Sequence, residues 1–515
     1  MQPKNAMTSQ PIRSLLIANR SEIAIRVMRA ASEMNIRTVA IYSREDRLAL
    51  HRFKADESYL VGEGKKPLQA YLDIADVLRI AKAAKVDAIH PGYGFLSENP
   101  DFAQAVIDAG IEWVGPRPEV MRTLGNKVAA RRAAIAAGVP VMPATDPLPM
   151  DLQACQRLAA GIGYPVMLKA SWGGGGRGMR ALHSEAELPD ALAAARREAL
   201  AAFGNDEVYF EKLVQRARHV EVQILGDRHG QVVHLFERDC TVQRRNQKVV
   251  ERAPAPYLDQ AQRQALCDSA IRLMQAVSYT HAGTVEFLMD ADSGKFYFIE
   301  VNPRIQVEHT VTELVTGVDI VKAQLRISEG ARIGLTEDGA QGQASGVPAQ
   351  PDIRLNGTAL QCRITTEDPE NGFLPDYGRL SAYRSASGFG IRLDAGTAYG
   401  GAVITPYYDS LLVKVTAWAP TAREGVQRMD RALREFRIRG VASNLQFLEN
   451  VINHPDFAAG TVTTRFIDTT PELLEFTRRQ DRATKLLGFM AGITVNGNPE
   501  MAGRKIPGPH LFRDR

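Results

Sequence analysis

Two glutamates spaced for a hairpin are the first residues in this sequence that suggest chemistry. Thr284–Met289 and Phe296–Val301 are strand-like runs, and Asp290–Lys295 (DADSGK) between them is a turn signal. With the turn centred on Ser293, Glu286 faces Glu300, Leu288 faces Phe298 and Thr284 faces Asn302. Directly opposed side chains in an antiparallel pair lie roughly 4.5–5.5 Å apart at Cβ, where like charges repel. A cation between the two carboxylates removes that repulsion, and the Asn302 carbonyl adds another hard oxygen. Such donors suit Mg2+ or Mn2+, whose remaining positions substrate phosphates normally fill. A solvated acidic face is the plainer reading, but Leu288 and Phe298 on the same face count against full solvation.

Further along, Asn302, Arg304, Gln306 and Glu308 alternate with Pro303, Ile305 and Val307. In an extended chain those four polar groups point one way. Arg304 can hold a small oxyanion through paired hydrogen bonds, and Glu308 can serve as a base within reach of it. A polar outer strand face would show the same alternation. Upstream lies Ser171–Arg180 (SWGGGGRGMR), in which Gly173, Gly174, Gly175 and Gly176 let backbone N–H groups wrap phosphate oxygens. It follows a strand-like PVMLKA, lacks GK[ST] and reaches another strand-like piece before any helix, unlike a P-loop. We read it as a hairpin flap over a nucleotide, with Lys169, Arg177 and Arg180 beside the phosphates; a flexible turn is the alternative. Gln243–Lys248 (QRRNQK) packs three cations into six residues, a pattern more usual on a solvated face. His90, His219 and His309 are isolated and show no HExxH spacing.

The elements that must position these groups divide the chain. Ser14–Asn19, a helix-spaced stretch from Ile23 to Met34, Arg37–Tyr42, Leu72–Lys85 and Val86–His90 alternate β and α signals. They predict an N-terminal doubly wound parallel sheet over roughly the first 120 residues. Its first loop, ANRSEIA, lacks GxGxxG, which argues against a dinucleotide site. Residues 121–345 read as α+β, with strands at Pro165–Ala170, Val220–Leu225 and Val232–Glu237 and a helix over Ala186–Ala202. Gly342–Pro351 reads as a surface connection. Short strands follow from Ala359 to Ala417, giving a C-terminal mainly antiparallel β domain. A helix near Glu424–Phe436, another at Pro471–Arg479 and a Gly/Pro-rich tail complete the chain.

The 515 residues suggest about three to five domains or subdomains. With 45% hydrophobic and 24% charged residues, disordered and fibrous classes are excluded. A net charge of +4 gives no reason to expect nucleic acid or a bilayer as partner. No run nears the ~18 apolar residues of a membrane span, and Met1–Gln10 lacks a signal-peptide core, so a cytoplasmic setting is expected. Cys155, Cys240, Cys267 and Cys362 form no CxxC pair, so neither a disulfide framework nor a zinc site follows.

The strings HPGYGFLSEN (His90–Asn99), KASWGGGGRGMR (Lys169–Arg180), ERDCTVQRRNQKVVE (Glu237–Glu251), FIEVNPRIQVEHTVTELVTG (Phe298–Gly317) and QCRITTEDP (Gln361–Pro369) together resemble the biotin carboxylase component of biotin-dependent carboxylases, an ATP-grasp family. The resemblance runs from about Arg13 to Ile467 and implies an ATP-grasp domain with a mobile lid between the two flanking domains. The boundaries it implies are 1–125, 126–345 (lid 145–212), 346–465 and a linker, 466–515. Trp172, ANRSEIAIR with Ser21, and the segment from Phe466 to Gly497 are similar to the pyruvate carboxylase branch rather than the acyl-CoA or urea carboxylases. Asn246 departs from the His that many stand-alone biotin carboxylases carry. With no transferase barrel and no biotinyl-lysine motif before Arg515, an N-terminal fragment or separate subunit is expected.

The resemblance also implies roles. Lys127 and Lys169 hold ATP phosphates under the glycine lid; Glu211, Lys212, Val214 and Leu288 lie along the adenine, and His219 and Gln243 near the ribose. Glu286, Glu300 and Asn302 form the metal site. Lys248, Arg304, Gln306 and Val307 form the bicarbonate pocket, Glu308 is the base, and Arg363 faces the ureido oxygen of biotin. ATP, bicarbonate, a biotin carrier domain and homo-oligomer formation (a dimer of this domain, a tetramer of a full enzyme) are implied, as is an acetyl-CoA activator, for which we single out Arg437, Arg439 and Arg482. The rival of another class is a catalytically silent ATP-binding module, against which the intact charged residues argue.

Overall fold

Apolar runs separated by helical periodicity dictate the first layer. In the computed structural model, which describes residues 11–171, 179–335, 344–476 and 482–497, strands β1 (Ser14–Ile17), β2 (Arg37–Tyr42), β3 (Glu57–Leu60), β4 (Ala88–His90) and β5 (Glu112–Trp113) pair in parallel, in the order β3-β2-β1-β4-β5. All four residues of β1 are buried, as expected for a parallel strand covered on both faces. The helix Ser21–Glu33 returns the chain along one face, its residues Ile23, Ala24, Val27 and Met28 entering the core.

A small antiparallel sheet follows, from β6 (Val166–Ala170), β7 (Arg180–Leu182) and β8 (Val208–Lys212), ordered β7-β6-β8. Leu168 pairs with Arg180, so the glycine-rich segment closes a hairpin as the sequence suggests. Gly173 to Gly176 and Trp172 themselves lie outside the described residues. The helix Leu188–Phe203 packs its Leu188, Leu192, Ala195 and Ala199 against this sheet.

The largest layer contains β9 (Ala217–Gly226), β10 (Val232–Arg244), β11 (Gln247–Ala253), β12 (His281–Asp290), β13 (Phe296–Asn302) and β14 (Thr358–Thr365). Small strands β15 (Glu367–Asp368), β16 (Leu374–Pro375), β17 (Gly378–Arg379) and β18 (Ala382–Arg384) precede β19 (Ile391–Ala395), β20 (Val403–Ile404), β21 (Leu411–Ala419) and β22 (Arg437–Arg439). Eight of them form one antiparallel sheet, β13-β12-β9-β10-β11-β14-β21-β19, spanning both the central and the C-terminal sequence segments. The turn between β10 and β11 is Arg245–Asn246, both at positive φ (48° and 63°), the pattern of a two-residue type I′ hairpin. The charge run QRRNQK is therefore a hairpin tip, with Gln243 opposite Lys248.

Some expectations need correction. Glu286 does face Glu300, and Thr284 faces Asn302, but Phe298 faces Phe287 instead of Leu288. A bulge intervenes because the Phe298 N–H leaves the ladder to donate to the Pro140 carbonyl (2.8 Å), and Leu288 pairs with Tyr297. The run after Asn302 is not extended. The strand ends there, bends at Arg304 and turns at Val307–Glu308 into the helix His309–Thr316. The described part of the connection 342–351 is partly interior, Ala344, Ser345 and Val347 being buried. Of the helix expected at 471–479, Pro471–Leu474 is a 3-10 turn pinned by buried Leu473, and residues 477–479 lie outside the described residues. Residues from 474 onward form a unit of their own, whose described core is the helix Arg482–Asn496.

Candidate functional site

A cleft of about 1140 Å³ opens over the eight-stranded sheet. Lys127, Lys169, Glu211, His219, Gln243, Lys248, Glu286, Leu288, Glu300, Asn302, Arg304, Gln306, Val307, Glu308 and Arg363 all line it. Of the described residues expected there, Lys212, Val214 and Arg180 do not; the Arg180 guanidinium pairs with Glu198 (2.5 Å), and the Lys212 ammonium donates to the Gly163 carbonyl (2.7 Å), since alternate residues of β8 face opposite ways. Lys169 pairs with Glu211 across β6 and β8, and Lys127 stands exposed at the start of the helix Lys127–Ala136.

The centre is a charge lattice. The Lys248 ammonium lies 2.9 Å from Glu286 Oε1 and 2.7 Å from Glu308 Oε1, and also bonds Glu221. Glu308, 2% exposed, takes its second contact from Arg363 Nη2 at 3.1 Å. The Arg363 Nε donates to Glu251 Oε1 at 2.6 Å. Burial would lift the Glu308 carboxyl, but Lys248 and Arg363 outweigh it and hold it below the usual carboxylate range. Burial likewise disfavours the Lys248 ammonium, yet Glu221, Glu286 and Glu308 keep it charged far above its ordinary range. Glu308 is thus an ionised carboxylate pinned by two cations, facing the cleft.

Beneath this lies Arg238, fully buried. It donates to Glu221 (2.6 Å), Gln223 (2.6 Å), Gln306 (2.7 Å), Thr312 (3.0 Å) and Thr284 (3.2 Å). Gln306 passes this order on, donating to Glu286 Oε1 at 2.9 Å. The Arg304 guanidinium bonds Glu98 from the HPGYGFLSEN loop and donates to Asn302 Oδ1 (3.0 Å). Sequence reasoning missed Glu221, Gln223, Arg238 and Glu251. A signal was present: His219, Glu221 and Gln223 alternate through an apolar strand, and the register sets them opposite Leu288, Glu286 and Thr284.

Glu286 and Glu300 differ in environment. Burial raises Glu286, but Lys248 and His219 overcome it and hold the group well below its ordinary range. His219 Nε2 comes within 2.9 Å of Glu286 Oε2 without hydrogen-bond geometry. Burial, followed by the charge of Glu286, pushes Glu300 up. Among the described residues Glu300 receives no hydrogen bond or ion pair. A half-buried carboxylate without an ion-pair partner, set opposite a second carboxylate, fits a divalent cation, and Asn302, donating to Glu286 at 2.8 Å, stands beside both.

Residues 11–121 match the model of the biotin carboxylase N-terminal domain, 126–336 that of the carbamoyl-phosphate synthase L chain ATP-binding domain, and 361–469 that of the biotin carboxylase C-terminal domain. Pyruvate carboxylase of Bacillus subtilis is 53% identical over 97% of this chain and 43% of its own length. A Rhizobium etli pyruvate carboxylase variant solved with the allosteric activator acetyl coenzyme-A is 65% identical, with a TM-score of 0.85 over 98% of this chain and 44% of that one. The biotin carboxylase domain of Hydrogenobacter thermophilus 2-oxoglutarate carboxylase, solved with MgADP, ADP and bicarbonate, is 43% identical. Its TM-score is 0.83, covering 91% of this chain and all of that one. The chain thus spans about two fifths of the curated relatives it matches.

Proposed function

The chain belongs to the biotin carboxylase family, and from that premise we propose how its residues divide the ATP-dependent carboxylation of biotin by bicarbonate. The observation that supports the assignment most directly is Glu308, an ionised carboxylate clasped by Lys248 and Arg363 in the cleft that also holds the Glu286–Glu300 pair. Bicarbonate resists attack at carbon because electron-rich oxygens surround it. Arg304, Lys248 and the turn Gln306–Val307 hold the anion beside Glu308. Glu308 takes the bicarbonate proton, and the freed oxygen attacks the γ-phosphorus of ATP as the bond to the ADP oxygen breaks. Lys127 and Lys169 offset the charge that grows on the departing phosphates. Glu286, Glu300 and Asn302 would hold a divalent cation, magnesium or manganese, which supplies charge neutralisation at the transferred phosphoryl group.

The carboxyphosphate so formed separates into CO2 and phosphate. Phosphate takes the N1′ proton of biotin, and the deprotonated ring captures CO2, with Arg363 stabilising the enolate oxygen. Glu211 and Leu288 frame the adenine, and His219 and Gln243 flank the ribose.

The function is tested by ADP release that requires bicarbonate and accelerates with added biotin; release indifferent to both would overturn it. Arg363→Lys keeps the charge but loses the fork, so biotin carboxylation should fall by about 10²–10³ with bicarbonate-dependent ATP cleavage within tenfold. Equal losses in the two assays would remove the enolate role from Arg363.

The curated relatives are pyruvate carboxylases, which favours this branch over acyl-CoA and urea carboxylases and over a silent nucleotide-binding module. On this reading biotin arrives on a carrier domain, the chain works in the cytoplasm as a homo-oligomer, and acetyl-CoA acts through Arg437 and Arg439. Arg437 and Arg439 stand exposed on β22. Among the described residues no helix is long and apolar enough to cross a membrane.

A further inference from the structure

Lys414 on β21 has no exposed surface, a rare position for a lysine. Its ammonium donates to the Val307 carbonyl at 2.9 Å and lies 3.0 Å from Glu22 Oε2. Glu22 lies in the first turn of the helix Ser21–Glu33, is 4% exposed, and has neither carboxylate oxygen in a hydrogen bond. A pair of this geometry is a poor structural clamp. Two charges are taken from water, one stays under-bonded, and apolar residues of similar volume would serve stability as well. The register sets Lys414 directly opposite Arg363 across β14 and β21 and opposite Asp394 across β19 and β21, so the repulsion from one neighbour is offset by the attraction of the other. What the arrangement gains is position. Val307 and Glu308 share one peptide group, so a donor on the Val307 carbonyl fixes the plane from which the Glu308 side chain leaves. The neighbour of that donor, Arg363, grips the same Glu308 at 3.1 Å.

We propose that Lys414 and Glu22 are positioning residues for the bicarbonate end of the cleft: Lys414 fixes the Val307–Glu308 turn, and Glu22 anchors Lys414. This rests on the assignment of Glu308 and Val307 made above. Neither residue touches the bicarbonate; both act through the turn.

The test is steady-state, bicarbonate-dependent ATP cleavage in Lys414→Met, Glu22→Gln and Lys414→Arg, with Glu308→Gln alongside. Lys414→Met should raise the KM for bicarbonate at least about tenfold, the usual scale for losing a supporting contact, with the KM for ATP within twofold. Glu22→Gln should raise it about threefold, and Lys414→Arg, which restores a charged donor, should recover most of the loss. Should Lys414→Met fail to fold, as judged by circular dichroism, Glu22→Gln and Lys414→Arg decide. A bicarbonate KM within twofold of wild type in folded Lys414→Met or in Glu22→Gln overturns the proposal, as does a parallel rise in both KM values. Retention of bicarbonate-dependent cleavage by Glu308→Gln would instead overturn the underlying assignment of the base, whatever the Lys414 variants do.

Discussion

Glu308→Gln is expected to lower bicarbonate-dependent ATP cleavage by about two to four orders of magnitude, the usual contribution of a positioned general base. Nucleotide affinity should change less than threefold, because the Glu308 contacts are to Lys248 and Arg363, at the anion end of the cleft. An amide cannot accept the bicarbonate proton. It also replaces one of two carboxylate oxygens, each now facing a cation, with an N–H2 donor, so the anion end loses charge balance as well. Because Lys248 and Arg363 hold the Glu308 carboxyl below its ordinary range, it stays ionised throughout neutral pH. Activity that depends on it is present above that range and lost only as acid protonates it. Single-turnover ATP cleavage with and without bicarbonate reads the effect; wild-type turnover would remove Glu308 from the mechanism.

The second large effect is on stability. Arg238→Met should lower unfolding free energy by about 3–5 kcal/mol, the range found when one partner of a buried ion pair is removed. The loss leaves Glu221 Oε1, on a fully buried carboxylate, and the side-chain oxygens of Gln223 and Gln306 without their buried donor, with Lys248 as the remaining cation bonded to Glu221. Glu221 is depressed to about 2: burial opposes its charge, and Lys248 and Arg238 together overcome that opposition. Urea denaturation should show the midpoint falling, and Arg238→Met combined with Glu221→Leu should recover much of it because no charge is then orphaned. An unchanged midpoint in Arg238→Met would show that the lattice is not held together from below. The double variant should remain slow in catalysis, since Lys248 loses one of its three carboxylates.

The sequence revealed much of this site because its logic is local. Glu286 and Glu300 oppose each other as a two-strand turn requires, and β2 and β13 begin and end where alternation and turn residues place them. The failures have specific causes. The bulge that moves Phe298 opposite Phe287 is set by the Pro140 carbonyl, remote in sequence, and no pattern near Phe298 announces it. The run from Asn302 to Glu308 converges on the cleft through a bend and a turn, not through strand alternation. The motif resemblance reached Arg363, whereas Arg238 and Lys414 read as ordinary strand charges. Only the register, which sets Lys414 opposite Asp394 and Arg238 opposite Glu221, shows why a buried cation belongs at each position.

One pairing has a wider consequence. Val250–Ala253 of β11 and Ala359–Cys362 of β14 are ladder neighbours, so the central and C-terminal segments of the chain share a single hydrogen-bonded seam. Splitting the chain into polypeptides ending and starting near 345 would leave each piece with a raw edge of unpaired amides and carbonyls. Such halves would be expected to aggregate apart and to regain activity only when refolded or expressed together, as two strips of one torn fabric.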